Sequence, residues 1–400
     1  MRRFQILKEA FVATSIIVTI TFLISSLPLK NEFLKGIRQD VNGFDIYDLT
    51  FNDGKKINKR DTNIIIIQVD DTRDNIAEQI RLIESYEPAI VGVDVFFEKE
   101  KDSINDTGLL EVAATYKNLV FGNMLNEVNE EEELQLANSF FEKNNNGSHS
   151  GYMNFVGNEL AVVRNYPPFY TVNKKQIPSF TSKIIEQYSA EIYANLKKKK
   201  TKQAVINYSG NAPDTYTSIS KEELLEYHET GQLAKLIKNK IVLLGYFVKY
   251  PPYVMEDLKF SPLNKTIAGK SFPDMYGVVI HANILTMIIE NKFAVMASDV
   301  FSYFVAFFVT FLFLWHIMKP HSEKSHPSHA KILILQLLLI LFSIYIFVQI
   351  FDSFLFKTPL TPLVISLVLC VELLGLYKII ALWLHKKFGY ITIFNKKHSI

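Results

Sequence analysis

Four apolar segments, each long enough to cross a bilayer as a helix, constrain this 400-residue chain more than any other feature. A membrane-spanning helix needs about 20 consecutive apolar residues. Each segment meets that length and is rich in Ile, Leu, Phe and Val on every side, whereas a soluble core helix is rarely apolar all round. The segments are residues 10–29, 300–318, 332–351 and 360–384.

The distribution of basic residues predicts how the chain is oriented, because lysine and arginine are enriched on the cytoplasmic side of membrane helices. Basic residues precede the first segment, lie between the second and third, and follow the fourth, whereas the connector 352–358 carries only Lys357 against Asp352. Both termini are therefore expected in the cytoplasm and the large polar block outside. The basic residues are Arg2, Arg3, Lys8, Lys319, Lys324, Lys331, Lys386, Lys387, Lys396 and Lys397.

The predicted organisation has four parts. They are an N-terminal tip and anchor at 1–29, an extracytoplasmic domain at 30–298, three transmembrane helices at 299–385 and a basic tail at 386–400. A cleaved signal peptide is the alternative for the first part, since a basic start and an apolar run suit both. The run is long and Ser25-Ser26-Leu27-Pro28 is a poor cleavage site, so an uncleaved anchor is favoured. Either choice leaves the large domain outside.

Charge and cysteine content limit the classes of partner and compartment. The net charge of +2 is too small for a nucleic-acid binder, and the one dense basic run, 197–200 with Lys202, is typical of a solvated loop. The only cysteine, Cys370, falls within the fourth apolar segment, so the outer domain has no disulfide although it faces an oxidising compartment. Abundant Lys, Asn, Ile and Phe without disulfides indicates a bacterial cell-envelope protein of the inner membrane.

Within the polar block, apolar runs alternate with helical patterns, as in an α/β sandwich with a parallel sheet. Continuous apolar runs at 63–69 and 89–96 predict strands covered on both faces, separated by a helix at 75–86 that begins with a capping box of Asn75 and Glu78. A β-rich insertion follows. The remaining predictions are helices at 109–116, 181–196, 220–228 (with a capping box of Ser220 and Glu223) and 278–290, strands at 119–124, 204–208 and 241–245, an exposed helix and loop at 126–147, and a hairpin at 151–165 turning at Gly157-Asn158.

Short motifs follow one another across nearly the whole outer block. They are DIYDLTF at 45–51, NIIIIQVDD at 63–71, IVGVDVFF at 90–97, GYMNF at 151–155, VVRNYP at 162–167, IPSF at 177–180, VINYSG at 205–210, KIVLLG at 240–245 and MYGVVIHANILTMI at 275–288. In order and spacing, this set resembles the second class of cyclase- and histidine-kinase-associated sensory extracellular domains, CHASE2. The three apolar segments that follow match the usual layout of that family. The resemblance implies an extracytoplasmic sensory domain.

Two departures from the family pattern change what the resemblance implies about function. Thr50 stands where the family has a basic residue, which weakens a local ion pair. Members commonly continue into a cyclase, a kinase or a diguanylate cyclase, but no such domain follows the fourth apolar segment. We therefore expect a multi-pass sensor or receptor that is not an enzyme, uses no cofactor, and signals to a separate cytoplasmic or membrane effector. A small extracytoplasmic ligand and a homo-oligomer are compatible with this interpretation.

Two other functions stay open. In the first, the chain is a structural or assembly subunit of a cell-envelope complex, and the outer domain binds another protein without sensing anything. The second is an outer-domain hydrolase. The sequence contains no Gly-x-Ser-x-Gly motif, Walker loop, dinucleotide fingerprint or zinc-ligand set, and this counts against a hydrolase.

Three aspartates form the first candidate site. Asp70 and Asp71 end the first predicted strand, and Asp94 lies near the end of the second. The carboxyl ends of parallel strands line the ligand crevice, and converging carboxylates bind a hard cation or a polar ligand. The structural alternative is favoured: Asp71 and Asp74 cap the next helix, and Asp70 accepts hydrogen bonds from loop amides.

The other candidates lie near or within the membrane segments. His281 and Asn283 fall on the predicted helix at 278–290; a lone histidine there is more often packed than reactive, although its ordinary pKa permits pH sensing. Glu372 is costly inside the fourth segment, which predicts a polar contact with another helix. The histidines in and beside the connector between the second and third apolar segments lack an acidic or cysteine partner that would fix the coordination geometry of a metal ion. No metal site is therefore expected there. They are His316, His321, His326 and His329.

Overall fold

The computed structural model describes residues 2–26, 45–52, 60–101, 103–127, 134–137, 150–155, 162–172, 174–249, 257–264, 272–322 and 328–395. The chain forms two compact units. The sheet unit is Arg38–Ala294, and the helical unit consists of Met1–Ile37 together with Val295–Ile400. The predicted turn at Gly157-Asn158, most of the segment 126–147 and the end of the first apolar segment lie outside the described residues.

The described elements are numbered here in chain order. The helices are α1 (Arg2–Ser26), α2 (Leu49–Asn52), α3 (Arg73–Glu84), α4 (Ser103–Thr115), α5 (Phe180–Tyr188), α6 (Ala190–Lys198), α7 (Lys221–Glu229), α8 (Leu233–Ile237), α9 (Gly277–Ile289), α10 (Asp299–Ser322), α11 (His329–Phe354) and α12 (Thr361–Phe388), with a 3-10 turn at Ile46–Asp48. The strands are β1 (Asp61–Gln68), β2 (Ile90–Asp94), β3 (Leu119–Asn123), β4 (Leu125–Glu127), β5 (Leu134–Leu136), β6 (Ser150–Tyr152), β7 (Asn165–Tyr166), β8 (Phe169–Val172), β9 (Lys175–Pro178), β10 (Ala204–Val205), β11 (Tyr216–Ile219), β12 (Ile241–Gly245), β13 (Leu258–Lys259), β14 (Met275–Tyr276), β15 (Val295–Met296) and β16 (Phe356–Lys357).

A six-stranded sheet forms the centre of the sheet unit, in the order β11-β1-β12-β2-β3-β6. Every neighbouring pair in it is parallel, which confirms the predicted fold class. The register pairs Gln68 with Gly245 and Gly245 with Asp94. The carboxyl ends of β1, β12 and β2 are therefore aligned at one edge of the sheet.

Helices cover both faces of this sheet, which explains why its strands are apolar without alternation. Ile65 and Ile67 of β1 pack on one face with apolar residues of α3, α4, α7 and α8. Side chains alternate between the faces of a strand, and the other face packs against α5 and α9. Gly92 of β2 illustrates how close α5 lies, because a Cβ built there would be 2.7 Å from Cδ1 of Ile184.

Two helix starts differ from the predictions. Helix α3 is capped by Thr72, which has an extended backbone and whose side chain accepts a hydrogen bond from the Asn75 amide. The capping box predicted for Asn75 and Glu78 is therefore wrong. The single helix predicted at 181–196 is two helices, because Ser189 is extended and its hydroxyl caps α6. The predicted capping box of Ser220 is confirmed at the start of α7.

The β-rich insertion consists of short antiparallel pairs: β4 with β5, β7 with β10, and β8 with β9. The hairpin predicted at 151–165 does not form from its described ends, because β6 joins the central sheet beside β3 while β7 pairs with β10. The strand predicted at 204–208 is reduced to Ala204–Val205 and stays outside the central sheet. These segments are too short for sequence periodicity to identify their partners.

The helical unit contains four helices that are long and apolar enough to span a membrane, α1, α10, α11 and α12, as predicted. Gln5 in α1 donates a hydrogen bond of 2.6 Å to the carbonyl of Ile391, which follows α12. Glu9 accepts hydrogen bonds from the Ile393 amide (2.9 Å) and the Thr392 hydroxyl (3.1 Å). The start of α1 and the segment after α12 therefore lie at the same end of this unit.

Candidate functional site

The three predicted site aspartates divide into two separate environments at the carboxyl edge of the sheet. Strand β12 lies between β1 and β2, so Asp94 is two strand spacings, about 10 Å, from the end of β1. Asp70 and Asp71 follow β1 directly. Among the described residues, no group of three or more His, Cys, Asp or Glu side chains is arranged to hold a metal ion.

Asp70 and Asp71 support the loop that follows β1. Asp70 Oδ1 accepts hydrogen bonds from the Asp71 amide (2.7 Å) and from Nδ2 of Asn75 (3.0 Å). Partial burial opposes ionisation, but these hydrogen bonds prevail and lower the pKa of Asp70 below its ordinary value. Asp71 forms an exposed ion pair of 2.7 Å with Lys221. These contacts are the structural role that the sequence favoured for Asp70, while Asp71 pairs with a lysine instead of capping α3.

Asp94 and His281 form the second environment, a buried pair between β2 and α9. Asp94 Oδ1 lies 3.6 Å from His281 Nε2, and their side chains are only 11% and 6% exposed. Two aromatic rings enclose the imidazole: Phe155 stacks on it at 4.8 Å between centroids, and Phe180 meets it edge-on at 5.2 Å. An acidic and a basic side chain therefore share an apolar compartment.

Burial makes both members of the pair favour their neutral forms. Desolvation, with a smaller contribution from Asp257, raises the pKa of Asp94 to about 7. Desolvation also lowers the pKa of His281 to about 3. His281 Nδ1 is buried and has no hydrogen-bond partner among the described residues. Removing a carboxylate and an imidazolium from water costs more than a contact of 3.6 Å recovers, so the pair is neutral over the range between the two pKa values.

The carboxyl group of Asp94 also lies beside the start of α9. A Cβ placed on Gly277, the first residue of that helix, would be 4.0 Å from Asp94 Oδ2. At the neighbouring strand end, a Cβ on Gly245 would be only 2.6 Å from the side chain of Val278, so glycine is required for this close packing. No side chain caps α9. A negative charge at a helix N-terminus is favourable, so ionisation of Asp94 is balanced between that interaction and its burial.

Asn283, the other candidate on α9, ties this helix to the loop after β10. Its Oδ1 accepts hydrogen bonds from the amides of Ser209 (2.7 Å) and Gly210 (3.2 Å). Its Nδ2 donates to the carbonyls of Gly210 and Val279, both at 2.9 Å. Asn283 is fully buried. Its side chain therefore has a structural role that fixes the position of α9.

Sequence reasoning missed several residues that complete this region. Phe155 and Phe180 belong to the GYMNF and IPSF motifs, but nothing in the sequence indicated that they enclose His281. Thr286 of α9 donates a hydrogen bond of 2.6 Å to Asp61 at the start of β1, and its hydroxyl lies 3.1 Å from that of Tyr216. Helix α9 is therefore held to the sheet by polar contacts on several turns.

A buried ion pair joins two of the motifs that carried the family resemblance. Arg164 of VVRNYP donates through Nε to Asp48 of DIYDLTF at 2.9 Å. Burial raises the pKa of Asp48 above its ordinary value, although Arg164 opposes that shift. Thr50 is buried and donates to the carbonyl of Tyr47 at 2.8 Å. In this chain, Asp48 of the first motif is thus paired with a basic residue of a later motif.

Glu372, the candidate within the helical unit, lies on α12 with an exposed side chain. Glu9 is the buried acidic residue of that unit, and the sequence did not indicate it. Of the connector histidines, His326 lies outside the described residues, while His316 and His329 lie on α10 and α11. No described residue completes a metal site with them.

Comparison with known proteins gives one match. No curated protein and no solved structure is similar enough to be matched. The sequence model of the CHASE2 domain matches residues 17–318, which cover the sheet unit and extend into the span-length helices on either side of it. CHASE2 is a sensory domain, and the four span-length helices indicate a membrane protein. The chain belongs to the CHASE2 domain family.

Proposed function

We propose that this chain is a multi-pass membrane sensor of the bacterial inner membrane. Its CHASE2 domain perceives an envelope signal outside, and the helices relay that signal to a separate partner. The observation that carries the proposal is the buried pair of Asp94 and His281, which connects the carboxyl edge of the sheet to α9. Helix α9 is the last helix of the sheet unit before the second span-length helix, α10.

The packing of α9 supports its proposed role in carrying a change in the sheet unit toward α10. Every residue from Val278 to Ile288 is buried, so the helix moves with the core of the sheet unit as one body. Residues 290–298 separate α9 from α10, and even when fully extended this segment reaches only about 30 Å. A shift of α9 is therefore transmitted to α10 with little slack. Packed interfaces favour two discrete arrangements, which amplifies a small shift.

The signal in this proposal acts at Asp94 and His281. A small cation or a ligand with a hydrogen-bond donor would stabilise the ionised carboxylate, and a proton would stabilise the neutral pair. Either change alters the charge beside the start of α9. We propose no catalytic activity, because the second ring nitrogen of His281 contacts no described hydroxyl or thiol that would act as a nucleophile.

The proposed topology places both termini in the cytoplasm and the CHASE2 domain outside. The hydrogen bonds of Gln5 and Glu9 with residues 391–393 support a common side for the two termini. The basic residues near these ends support the cytoplasmic side. A reporter fused after Ile400 should be active only as a cytoplasmic fusion, and one inserted at 144–147 only as an external one. The opposite pattern would exclude the topology and the sensor proposal with it.

Affinity purification of the full chain in mild detergent, followed by mass spectrometry, tests the function. The proposal predicts a stoichiometric effector with a cytoplasmic domain whose recovery changes when Asp94 is replaced by Asn. Asp70→Asn is the matched control, because the carboxylate of Asp70 accepts hydrogen bonds from the Asp71 amide and from Asn75 at the start of α3, on the far side of β12 from Asp94. Recovery of an envelope protein that is unaffected by either substitution would instead identify a structural or assembly subunit.

A further inference from the structure

Glu372 occupies the middle of α12 and has no partner among the described residues. It lies eleven residues after Thr361 and sixteen before Phe388, the two ends of the helix. Its side chain is exposed, and no described residue forms a hydrogen bond or ion pair with it. An ionisable side chain at that depth is costly against lipid and almost always faces protein or water. The described residues of one copy of the chain leave this cost uncompensated.

The surface around Glu372 is a continuous stripe on one side of α12. Val368, Leu376, Ile379 and Trp383 are each more than half exposed. Together with Glu372 they recur at helical spacings of three and four residues, Val368 before it and the other three after it. Nothing lies within 4 Å of a Cβ placed on Gly375. A glycine on such a face lets another helix approach closely. The stripe therefore has an apolar surface, a close-approach point and one unsatisfied polar group.

Tyr345 supplies the matching hydrogen-bond donor on the neighbouring helix. It lies on α11, nine residues before Phe354, and is 59% exposed. No described residue hydrogen-bonds to its hydroxyl. Measured from the shared end of α11 and α12, Tyr345 lies about 14 Å deep and Glu372 about 17 Å deep, at 1.5 Å of rise per residue. One chain thus exposes an unpaired donor and an unpaired acceptor at nearly the same depth.

We propose that a second copy of this chain packs against the exposed faces of α11 and α12, with Tyr345 of each copy donating a hydrogen bond to Glu372 of the other. Twofold symmetry makes the contact self-complementary, because each copy supplies one donor and one acceptor. Both polar groups then leave the lipid together. This inference concerns the helical unit and does not rest on the proposed sensor function.

The test measures self-association of the purified full chain in neutral phosphatidylcholine vesicles, by counting labelled subunits as the protein-to-lipid ratio varies. The wild type should dimerise. Glu372→Leu should weaken dimerisation at least about tenfold, because both symmetric hydrogen bonds are lost. Tyr345→Phe should weaken it similarly, and Glu372→Gln should preserve it, because a carboxamide still accepts the hydrogen bond. Phe304→Leu changes an exposed apolar residue of α10 and should have no effect.

Glu372→Leu makes α12 more apolar, so a lost dimer cannot be attributed to failed insertion. A wild type that stays monomeric at every density would overturn the proposal, as would a Glu372→Leu variant that dimerises as well as the wild type. Wild-type association by Tyr345→Phe would exclude Tyr345 as the donor. A chain that is monomeric alone but binds a different membrane protein through Glu372 would assign the face to another partner.

Discussion

Asp70 and Asp94 lie at the same edge of the sheet, at strand ends separated by β12, but have opposite properties. Asp70 lies in an open loop, and hydrogen bonds from Asn75 and Asp71 lower its pKa although partial burial opposes this. Asp94 is enclosed with His281, and burial raises its pKa to about 7. The two residues have the same chemistry and the same place in the topology. The difference shows that what covers a strand end decides whether the pKa of its carboxylate is lowered by loop hydrogen bonds or raised by burial.

The cover over Asp94 comes from elements distant in the sequence. Helix α9 begins beside its carboxyl group, and Phe155 and Phe180 close over the adjacent imidazole. Over the end of β1, Gln79 of α3 hydrogen-bonds to the backbone of Gln68 and Asp70. The half-buried Lys221 forms an ion pair there with the exposed Asp71. We therefore expect substitutions at the Asp94 end to have larger and more pH-dependent effects than those at the Asp70 end.

The largest expected effect is on the pH dependence of stability. The folded-state pKa of Asp94 is about 7 and an unfolded aspartate has about 3.9, so the folded state binds the extra proton between these values. Stability is thus lost progressively as pH rises from about 4 to about 7, by up to about 4 kcal/mol in total, and the loss levels off above the folded-state pKa. Thermal unfolding of the full chain in detergent should show wild-type stability falling relative to Asp94→Asn between about pH 4 and 7, with a constant difference above about pH 8.

His281 does not obscure this measurement. Its pKa is lowered in the folded state to about 3, so it lowers stability as pH falls below about 6.5 in the wild type and in Asp94→Asn alike, and the comparison of the two proteins cancels its effect. Asp70→Asn is the matched control, because a lowered pKa affects stability only in acid. Equal pH profiles for the wild type and Asp94→Asn would contradict the distinction between the two environments.

The next effect concerns the polar contacts that hold α9. Asn283→Ala removes four hydrogen bonds and leaves buried backbone groups of Gly210 unpaired. We expect a loss of about 3 kcal/mol in the free energy of unfolding, independent of pH between about 6.5 and 8.5. Chemical denaturation at two pH values measures both the size of the loss and its independence of pH. A loss below about 1 kcal/mol would mean that apolar packing alone positions α9.

A smaller effect is expected at the helix start beside Asp70. Thr72→Ala removes the side chain that caps α3, which should lower the free energy of unfolding by about 1 kcal/mol. Asn75→Ala removes the side-chain bond to Asp70 but keeps the capped amide, so it separates the cap from the loop contact. If Asn75→Ala has the larger effect, the loop contact stabilises this region more than the cap.

The smallest effect should be at Asp71. Its ion pair with Lys221 is exposed, and such pairs contribute about 0.5 kcal/mol or less. Asp71→Asn should therefore leave the unfolding midpoint nearly unchanged, and raised salt should abolish any residual difference. A large, salt-resistant loss of stability would show that this end of the edge is as enclosed as the Asp94 end.

The fold was predictable where the sequence pattern is long and unambiguous. The strand at 241–245 was predicted with its observed bounds, and a helix was predicted over 278–290, because buried parallel strands and fully buried helices give continuous apolar runs. The four span-length helices follow from length and composition. Ser189 shows where this reasoning stops: the helical pattern continues through it, but its extended backbone ends one helix and its hydroxyl caps the next.

The candidate site was only partly predictable. The sequence identified Asp94 and His281 separately, because each stood out against its own segment. Their contact depends on how α9 packs across the sheet, which no spacing in the sequence encodes. The grouping of Asp94 with Asp70 assumed that adjacent strands in the sequence are adjacent in space, whereas β12, which comes much later, lies between β1 and β2.

The coupling of α9 to the second span-length helix is the central claim of the proposed function. A short flexible Gly/Ser insert after Ala294 should leave folding and membrane insertion intact but remove the signal-dependent association with the cytoplasmic partner. The same insert in the exposed turn at Gly231 and Gln232 should leave that association unchanged. Quantitative affinity purification of both variants, with and without the signal, measures this association. Signal-dependent association that survives the insert after Ala294 would mean that the CHASE2 domain is a docking module and does not transmit a signal through α10.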